Sequence, residues 1–180
     1  HWVVMDVDFQ TGKIRWQREL HAGQPPLLRH VKNSYASETP VTDGERVYVY
    51  FGSIGLIAAL DFDGKTIWTK TIDAFNTQVE LGTGASPALY KDRLFIVNDN
   101  TKQSVLLALD KKTGKELWRI NRDEIGNWST PLVWENDVRT EIVTTGTRRV
   151  RSYDLNGALL TGNTYELWQS GGGETYCPES

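Results

Sequence analysis

The 180-residue chain contains a single cysteine, Cys177, so it can form no internal disulfide bond. It has no uninterrupted apolar run that approaches the roughly 20 residues of a transmembrane helix. Its three histidines show no metal-ligand spacing, and it lacks both the G-x-S-x-G motif and a phosphate-binding glycine loop. The net charge of −3 gives no general attraction to nucleic acid. The common signatures of metalloenzymes, serine hydrolases and nucleic-acid-binding proteins are therefore missing.

The sequence is instead rich in glycine and large aromatic residues, with 16 Gly, 7 Trp and 7 Tyr. One pattern recurs: an apolar strand, a turn with Asp and Gly, and a second strand that contains Trp. Asp and Gly suit the turn because Gly accepts positive φ and Asp can bond nearby backbone. The copies are residues 107–119 (LALDKKTGKELWR), 5–16 (MDVDFQTGKIRW), 59–68 (ALDFDGKTIW) and, more weakly, 153–160 (YDLNGALL). Recurrence of one hairpin predicts a repeat architecture.

Two anchors recur in a fixed order and define the length of the repeat. The first is the aspartate that leads each hairpin turn, which we assign to Asp6, Asp61, Asp110 and Asp154. The second is a small residue followed by proline, at Thr39-Pro40, Ser86-Pro87, Thr130-Pro131 and Cys177-Pro178. Four short strands in about 45 residues correspond to one blade of a β-propeller.

These motifs give the chain a family resemblance. The phrase [A/S]-x-D-x-x-T-G-K-x-x-W, with Ser/Thr-Pro upstream, resembles the repeat of the pyrroloquinoline quinone (PQQ) propeller superfamily. The resemblance implies an all-β fold and a partial β-propeller: three four-stranded antiparallel blades plus fragments of two more, an incomplete arc of a ring of about 7–8 blades. We expect one propeller fragment over residues 1–180, divided into a partial blade at 1–20, blades at 36–72, 85–120 and 129–169, and the start of another at 176–180. The remaining blades are expected from the same full-length chain.

The repeated residues are predicted to be structural. The resemblance implies that Trp16, Trp68 and Trp118 dock flat between adjacent blades. The alternative, stacking on a quinone or sugar, is disfavoured because three copies occupy one repeat position. The residues predicted to form the turns are Asp6, Gly12, Asp61, Gly64, Asp110 and Gly114.

Candidate binding residues are those that break the repeat. Tyr35, Glu38, Asn127 and Trp128 precede the inner strands, in loops expected near the propeller axis. Structural alternatives for them are loop capping and packing between blades. Arg149 lies in a basic cluster with Arg148 and Arg151, which could hold an anion or form a solvated edge that discourages strand addition. We predict no catalytic residue and no metal site.

Two classes of function follow from the resemblance. The favoured class is a non-enzymatic scaffold of the BamB type, of exported bacterial origin and periplasmic or at the cell surface. It would bind protein partners or a small ligand at the propeller face and need no cofactor. The alternative is part of a quinoprotein dehydrogenase that oxidises alcohols or sugars with PQQ and calcium. Many such enzymes carry an adjacent cysteine pair, and they hold calcium through Glu, Asn and Asp; here only Glu38 and Asn127 could be placed in that role.

Overall fold

The computed structural model describes residues 1–147, 149–160 and 165–166. Its strands form four antiparallel sheets, each a meander in chain order. Sheet I contains β1 (Trp2–Val7) and β2 (Ile14–His21). Sheet II contains β3 (Val41–Thr42), β4 (Arg46–Phe51), β5 (Leu56–Asp61) and β6 (Thr66–Thr71). Sheet III contains β7 (Ala88–Tyr90), β8 (Arg93–Asn98), β9 (Ser104–Asp110) and β10 (Glu116–Arg122). Sheet IV contains β11 (Leu132–Glu135), β12 (Thr140–Thr145), β13 (Arg149–Tyr153) and β14 (Tyr165–Glu166).

This architecture confirms the predicted all-β fold and partial β-propeller. Three sheets have four strands, and sheet I has two. The predicted start of a further blade at 176–180 lies outside the described residues. In the part of the chain that the structure describes, no helix is long and apolar enough to span a membrane.

Burial along the strands follows from the stacking of the sheets. The middle strands β5 (LIAALD) and β9 (SVLLALD) are buried at nearly every position, because other sheets cover both of their faces. The outer strands β6 and β10 alternate between half-buried and exposed residues. Three apolar clusters fill the spaces between sheets I and II, II and III, and III and IV.

A tryptophan on each outer strand joins its sheet to the next one. The indole nitrogen of Trp16 donates to the carbonyl oxygen of Phe62 at 2.7 Å. Trp68 does the same to Lys111 at 3.0 Å, and Trp118 to Leu155 at 2.9 Å. The acceptor is always the residue after the turn aspartate of the next sheet. The three predicted docking tryptophans therefore lie at equivalent places in the three interfaces.

Each of these indoles also rests on a glycine of the same turn. A Cβ at Gly64 would lie 2.7 Å from Trp16, one at Gly114 would lie 2.6 Å from Trp68, and one at Gly157 would lie 3.0 Å from Trp118. All three glycines have positive φ. The turn thus needs glycine for its backbone conformation and for the close approach of the ring.

The turn of sheet I corrects one prediction. The carboxylate of Asp8, not that of Asp6, accepts the backbone and hydroxyl hydrogen bonds of Thr11, as Asp110 does from Thr113. These bonds, with one from Arg15, lower the pKa of Asp8 to about 2. Asp6 lies within β1 and pairs with Trp16. The two aspartates alternate along one strand, and only the alignment of the T-G-K sequence identifies the one that reaches the turn.

We expect Gly114→Ala to destabilise the protein more than Gly44→Ala, which is a matched control. Both glycines have positive φ, but a Cβ at Gly44 would meet nothing within 4 Å. Backbone strain should cost about 1–2 kcal/mol at either site. Collision with Trp68 should add about 1–3 kcal/mol at Gly114. Urea unfolding measures both values, and equal losses would contradict the role of the indole contact.

Candidate binding site

Three loops, each leading from an outer strand to the inner strand of the next sheet, interlock around Gly82. They are L1 (residues 22–40), L2 (72–87) and L3 (123–131). The indole nitrogen of Trp128 in L3 donates to the carbonyl oxygen of Gly82 at 2.6 Å. The amide nitrogen of Asn33 in L1 donates to the carbonyls of Leu81 at 2.7 Å and Thr83 at 3.2 Å. L2 is therefore held from both sides.

Gly82 itself leaves no room for a side chain. Its φ is +86°, and a Cβ there would lie 2.7 Å from Nδ2 of Asn33 and 3.1 Å from Cβ of Arg29. Thr77 donates to the same carbonyl as Trp128, at 2.9 Å. The junction is thus a tightly packed crossing of backbone and side chains rather than an open pocket.

Around this junction the loops expose apolar side chains and contain a strained segment. Val79 and Glu80 have φ of 50° and 56°, in the left-handed region that β-branched residues rarely adopt. The Val79 side chain is 74% exposed and that of Val31 is 83% exposed. Strain of this kind concentrates at functional sites in proteins. The other large apolar residues that the three loops expose are Leu28, Ile125 and Trp128.

Tyr35, a predicted ligand contact, is placed by packing within L1 and against sheet I. Its carbonyl oxygen accepts hydrogen bonds from the indole of Trp2 at 3.0 Å and from the hydroxyl of Ser53 at 2.7 Å. The guanidinium of Arg29 lies 4.7 Å from the centre of its ring. The tyrosine thus fixes the path of L1 in this structure.

Glu38 is buried at the inner end of L1. Its Oε1 accepts a hydrogen bond from the backbone nitrogen of Gly52 at 3.1 Å. Among the described residues, its Oε2 and the hydroxyl of Thr83 have no hydrogen-bond partner. Burial raises the pKa of Glu38, because the charged form loses its solvation. Burial also raises the pKa of Tyr50, with a smaller contribution from the charge of Glu38.

Asn127 and Trp128 make the structural contacts of L3. The Asn127 side chain donates to the carbonyl of Thr145, and its oxygen accepts the backbone nitrogen of Ser129 at 3.3 Å. Trp128 remains 37% exposed, with its ring edge against Gly84. The structure therefore gathers Glu38, Asn127 and Trp128 on neighbouring loops, and each is engaged with its own chain.

Arg149 lies at a different cavity, of about 150 Å³, beside L3. It is 3.6 Å from Asp123. Arg151 lines the same cavity but is buried, and it pairs with Asp123 and Glu124. The interpretation of this cluster as a solvated edge is wrong for Arg151, because two acidic residues of L3 cover it. Arg148 lies outside the described residues.

A second buried ion pair was not predicted from the sequence. Arg122 donates to Asp99 through two nitrogens, at 2.8 and 3.0 Å, and both side chains are fully buried. Burial raises the pKa of Asp99, and the bonds from Arg122 oppose that shift. Arg122 also reaches the hydroxyls of Thr144 and Tyr153 in sheet IV. The available signal was the run of charged residues at 121–124, directly after an apolar strand.

The family comparison rests on nearly the whole chain. The family model described as outer membrane protein assembly factor BamB matches residues 2–126 and again 53–175, an offset of about one blade. The chain belongs to this BamB family of PQQ-like repeats. Among proteins with curated descriptions, none has a significantly similar sequence.

Solved structures similar to this BamB-family chain share its fold at low sequence identity. The crystal structure of BamB from Moraxella catarrhalis is 22% identical with a TM-score of 0.63, covering 92% of this chain and 47% of that one. A quinohaemoprotein alcohol dehydrogenase from Pseudomonas putida HK5 is 15% identical with a TM-score of 0.57, covering 88% of this chain and 30% of that one. A protein of unknown function from Bacteroides caccae is 15% identical with a TM-score of 0.51, covering 92% of this chain and 54% of that one. The chain thus spans about half the length of the BamB structure.

Glu38→Gln should become more stable than the wild type as the pH rises. Because folding raises the pKa of Glu38, the stability that depends on its neutral form is complete below the ordinary value of about 4.3 and is lost as the pH rises through the raised value. Glutamine keeps an oxygen acceptor for Gly52 and carries no charge. Urea unfolding between pH 4 and pH 8, roughly the range over which a buried Glu titrates, measures the difference in unfolding free energy.

The exposed substitution Glu45→Gln controls for the change in net charge. A stability difference between Glu38→Gln and the wild type that stays constant over this pH range would contradict the burial of an ionisable Glu38.

Proposed function

We propose that the chain is a non-enzymatic, protein-binding scaffold module of exported bacterial type, periplasmic or at the cell surface, and that L1, L2 and L3 form its binding surface. The proposal is supported above all by the exposed apolar side chains Val31, Val79 and Trp128 on three loops that Gly82 locks together. A surface of this kind is pre-ordered, so a partner does not lose affinity to loop ordering on binding.

The size of the cavities favours a protein over a small molecule. The cavity between L2 and L3, lined by Tyr50, Thr83 and Asn127, measures about 10 Å³. The cavity at Arg149 measures about 150 Å³. Ligand pockets are typically about 300–1,000 Å³. An exposed apolar surface on ordered loops suits a protein partner, whose own apolar groups it can cover.

The polar groups of the loops are used within the chain. Asn33 holds L2, Asn127 holds Thr145, and Glu38 holds Gly52. Catalysis would need a titratable group placed against open space for a substrate. This arrangement supports a scaffold, in which the same groups keep the binding surface in one shape.

The calcium and PQQ of the alternative do not fit the described residues. Calcium prefers several oxygen ligands that include charged carboxylates. Burial raises the pKa of Glu38 and so favours its neutral form, and the side-chain oxygen of Asn127 accepts a hydrogen bond from Ser129. No cluster of three or more His, Cys, Asp or Glu side chains capable of holding a metal occurs in the described ranges. We therefore propose that the module works without a cofactor.

Site-specific photo-crosslinking tests the binding surface. A benzoylphenylalanine at Val79 should form one discrete crosslink to a protein in bacterial periplasmic extract, and Val31→Asp should remove that crosslink. A benzoylphenylalanine at Leu117, which is exposed on β10 away from the loops, is the matched control and should give none. The same crosslinks from both positions, or none from Val79, would contradict the proposal.

Titration with PQQ and calcium separates the two classes of function. Tryptophan fluorescence should show no saturable quenching, because the loop cavities are too small for the quinone. Saturable, calcium-dependent quenching at micromolar PQQ would instead support the dehydrogenase alternative.

A further inference from the structure

The described arc has two apolar sheet faces that no described sheet covers, one at each end. The front face is the side of sheet I turned away from sheet II, formed by Val3, Met5, Val7 and Ile14. The back face is the side of sheet IV turned away from sheet III, formed by Leu132, Trp134, Val143 and Val150. Each corresponds to a side that is buried in the interior sheets.

The front face follows from alternation along β1. Trp2 and Val4 point into the core between sheets I and II. The residues between and after them therefore point the other way. Met5 is 52% exposed and Val7 48%, and Val7 pairs across the hairpin with Ile14, which is 54% exposed.

The back face forms a wide groove. Val133 and Ile142 point into the core between sheets III and IV, so their neighbours point outward. Leu132 is 60% exposed and Trp134 51%. With the valines of β12 and β13 they line a groove of about 590 Å³, and Arg139 borders it.

The front face also carries an unfilled copy of the indole seat. Gly12 has φ of +67°, as the three seat glycines do, but a Cβ there would meet nothing within 4 Å. The carbonyl of Phe9 occupies the acceptor position after the turn aspartate Asp8, and its side chain is 98% exposed. This turn therefore keeps the form of a docking surface that has no partner among the described residues.

A polar contact that recurs in the interior interfaces has matching groups at the two ends. Arg46 donates to the carbonyl of Lys112 in the next sheet, and Arg93 donates to that of Leu155. Arg139 borders the back groove, just before β12. Gln10 in the front turn holds the position equivalent to Lys112. Both the apolar and the polar parts of an interior interface are thus available, one half at each end.

We propose that the front face of one chain docks on the back face of a second copy, head to tail, in the manner of the interior sheet contacts. The two faces differ from each other, so the interface is heterologous, and each copy keeps one face free until the assembly closes. Removal of exposed apolar surface from water drives the association. The inference is independent of the loop surface proposed above.

Two charge substitutions test the pairing through their mixture. Met5→Glu blocks the front face, Leu132→Glu blocks the back face, and both positions are exposed enough for the fold to tolerate them. In sedimentation equilibrium the wild type should show a mass that rises with concentration above the 20.4 kDa of one chain. Each variant alone should stay at the mass of one chain. An equimolar mixture should approach twice that mass, because each variant supplies the face that the other lacks.

Leu117→Glu, an exposed apolar residue on β10, is the matched control and should associate as the wild type does. Val7→Glu and Trp134→Glu provide a second pair of variants, and circular dichroism confirms that all of them fold. A wild type that stays monomeric at every concentration would overturn the proposal and leave the two faces to blades of another chain. Association of either variant alone, or a monomeric mixture, would also overturn it.

Discussion

The contact between an indole and a glycine of the next sheet is the interaction on which the rest of this structure depends. It occurs three times, at Gly64, Gly114 and Gly157, each time with a hydrogen bond to the carbonyl that follows the turn aspartate. A large planar ring buries roughly 150–250 Å² and fixes the separation of the two sheets through its thickness. The apolar clusters between the sheets can pack well only at that separation.

The position of the loops at the opposite ends of the strands follows from this stacking. Once consecutive sheets lie side by side, the loops that enter the inner strands become neighbours, and L1, L2 and L3 meet at Gly82. Another pair of contacts near the inner strands joins the same sheets: the backbone nitrogen of Thr39 donates to Ser86, and that of Ser86 donates to Thr130. The hydroxyl of the small residue before proline is thus an acceptor for the preceding sheet.

The repeat could be predicted from the sequence because it uses residues with few substitutes. Tryptophan, glycine and the T-G-K turn recur at one spacing, and they gave the fold and the family. The assignment of Asp6 failed because Asp6 and Asp8 alternate on one strand, and only the turn geometry distinguishes them. The buried pair of Asp99 and Arg122 was missed because it depends on how sheets III and IV lie against each other. Neighbouring residues in the sequence carry no record of that relation.

Hydrogen exchange at the indole nitrogens tests the account most directly. In a ¹⁵N-labelled sample assigned through single Trp→Phe variants, the indole N–H groups of Trp16, Trp68 and Trp118 should exchange slowly with deuterated water, because each donates to a carbonyl of the next sheet. The indole of Trp134, which is 51% exposed on the back face, should exchange fast in the monomer and serves as the internal reference. If the three docking indoles exchange as fast as Trp134, the sheets are not joined as described.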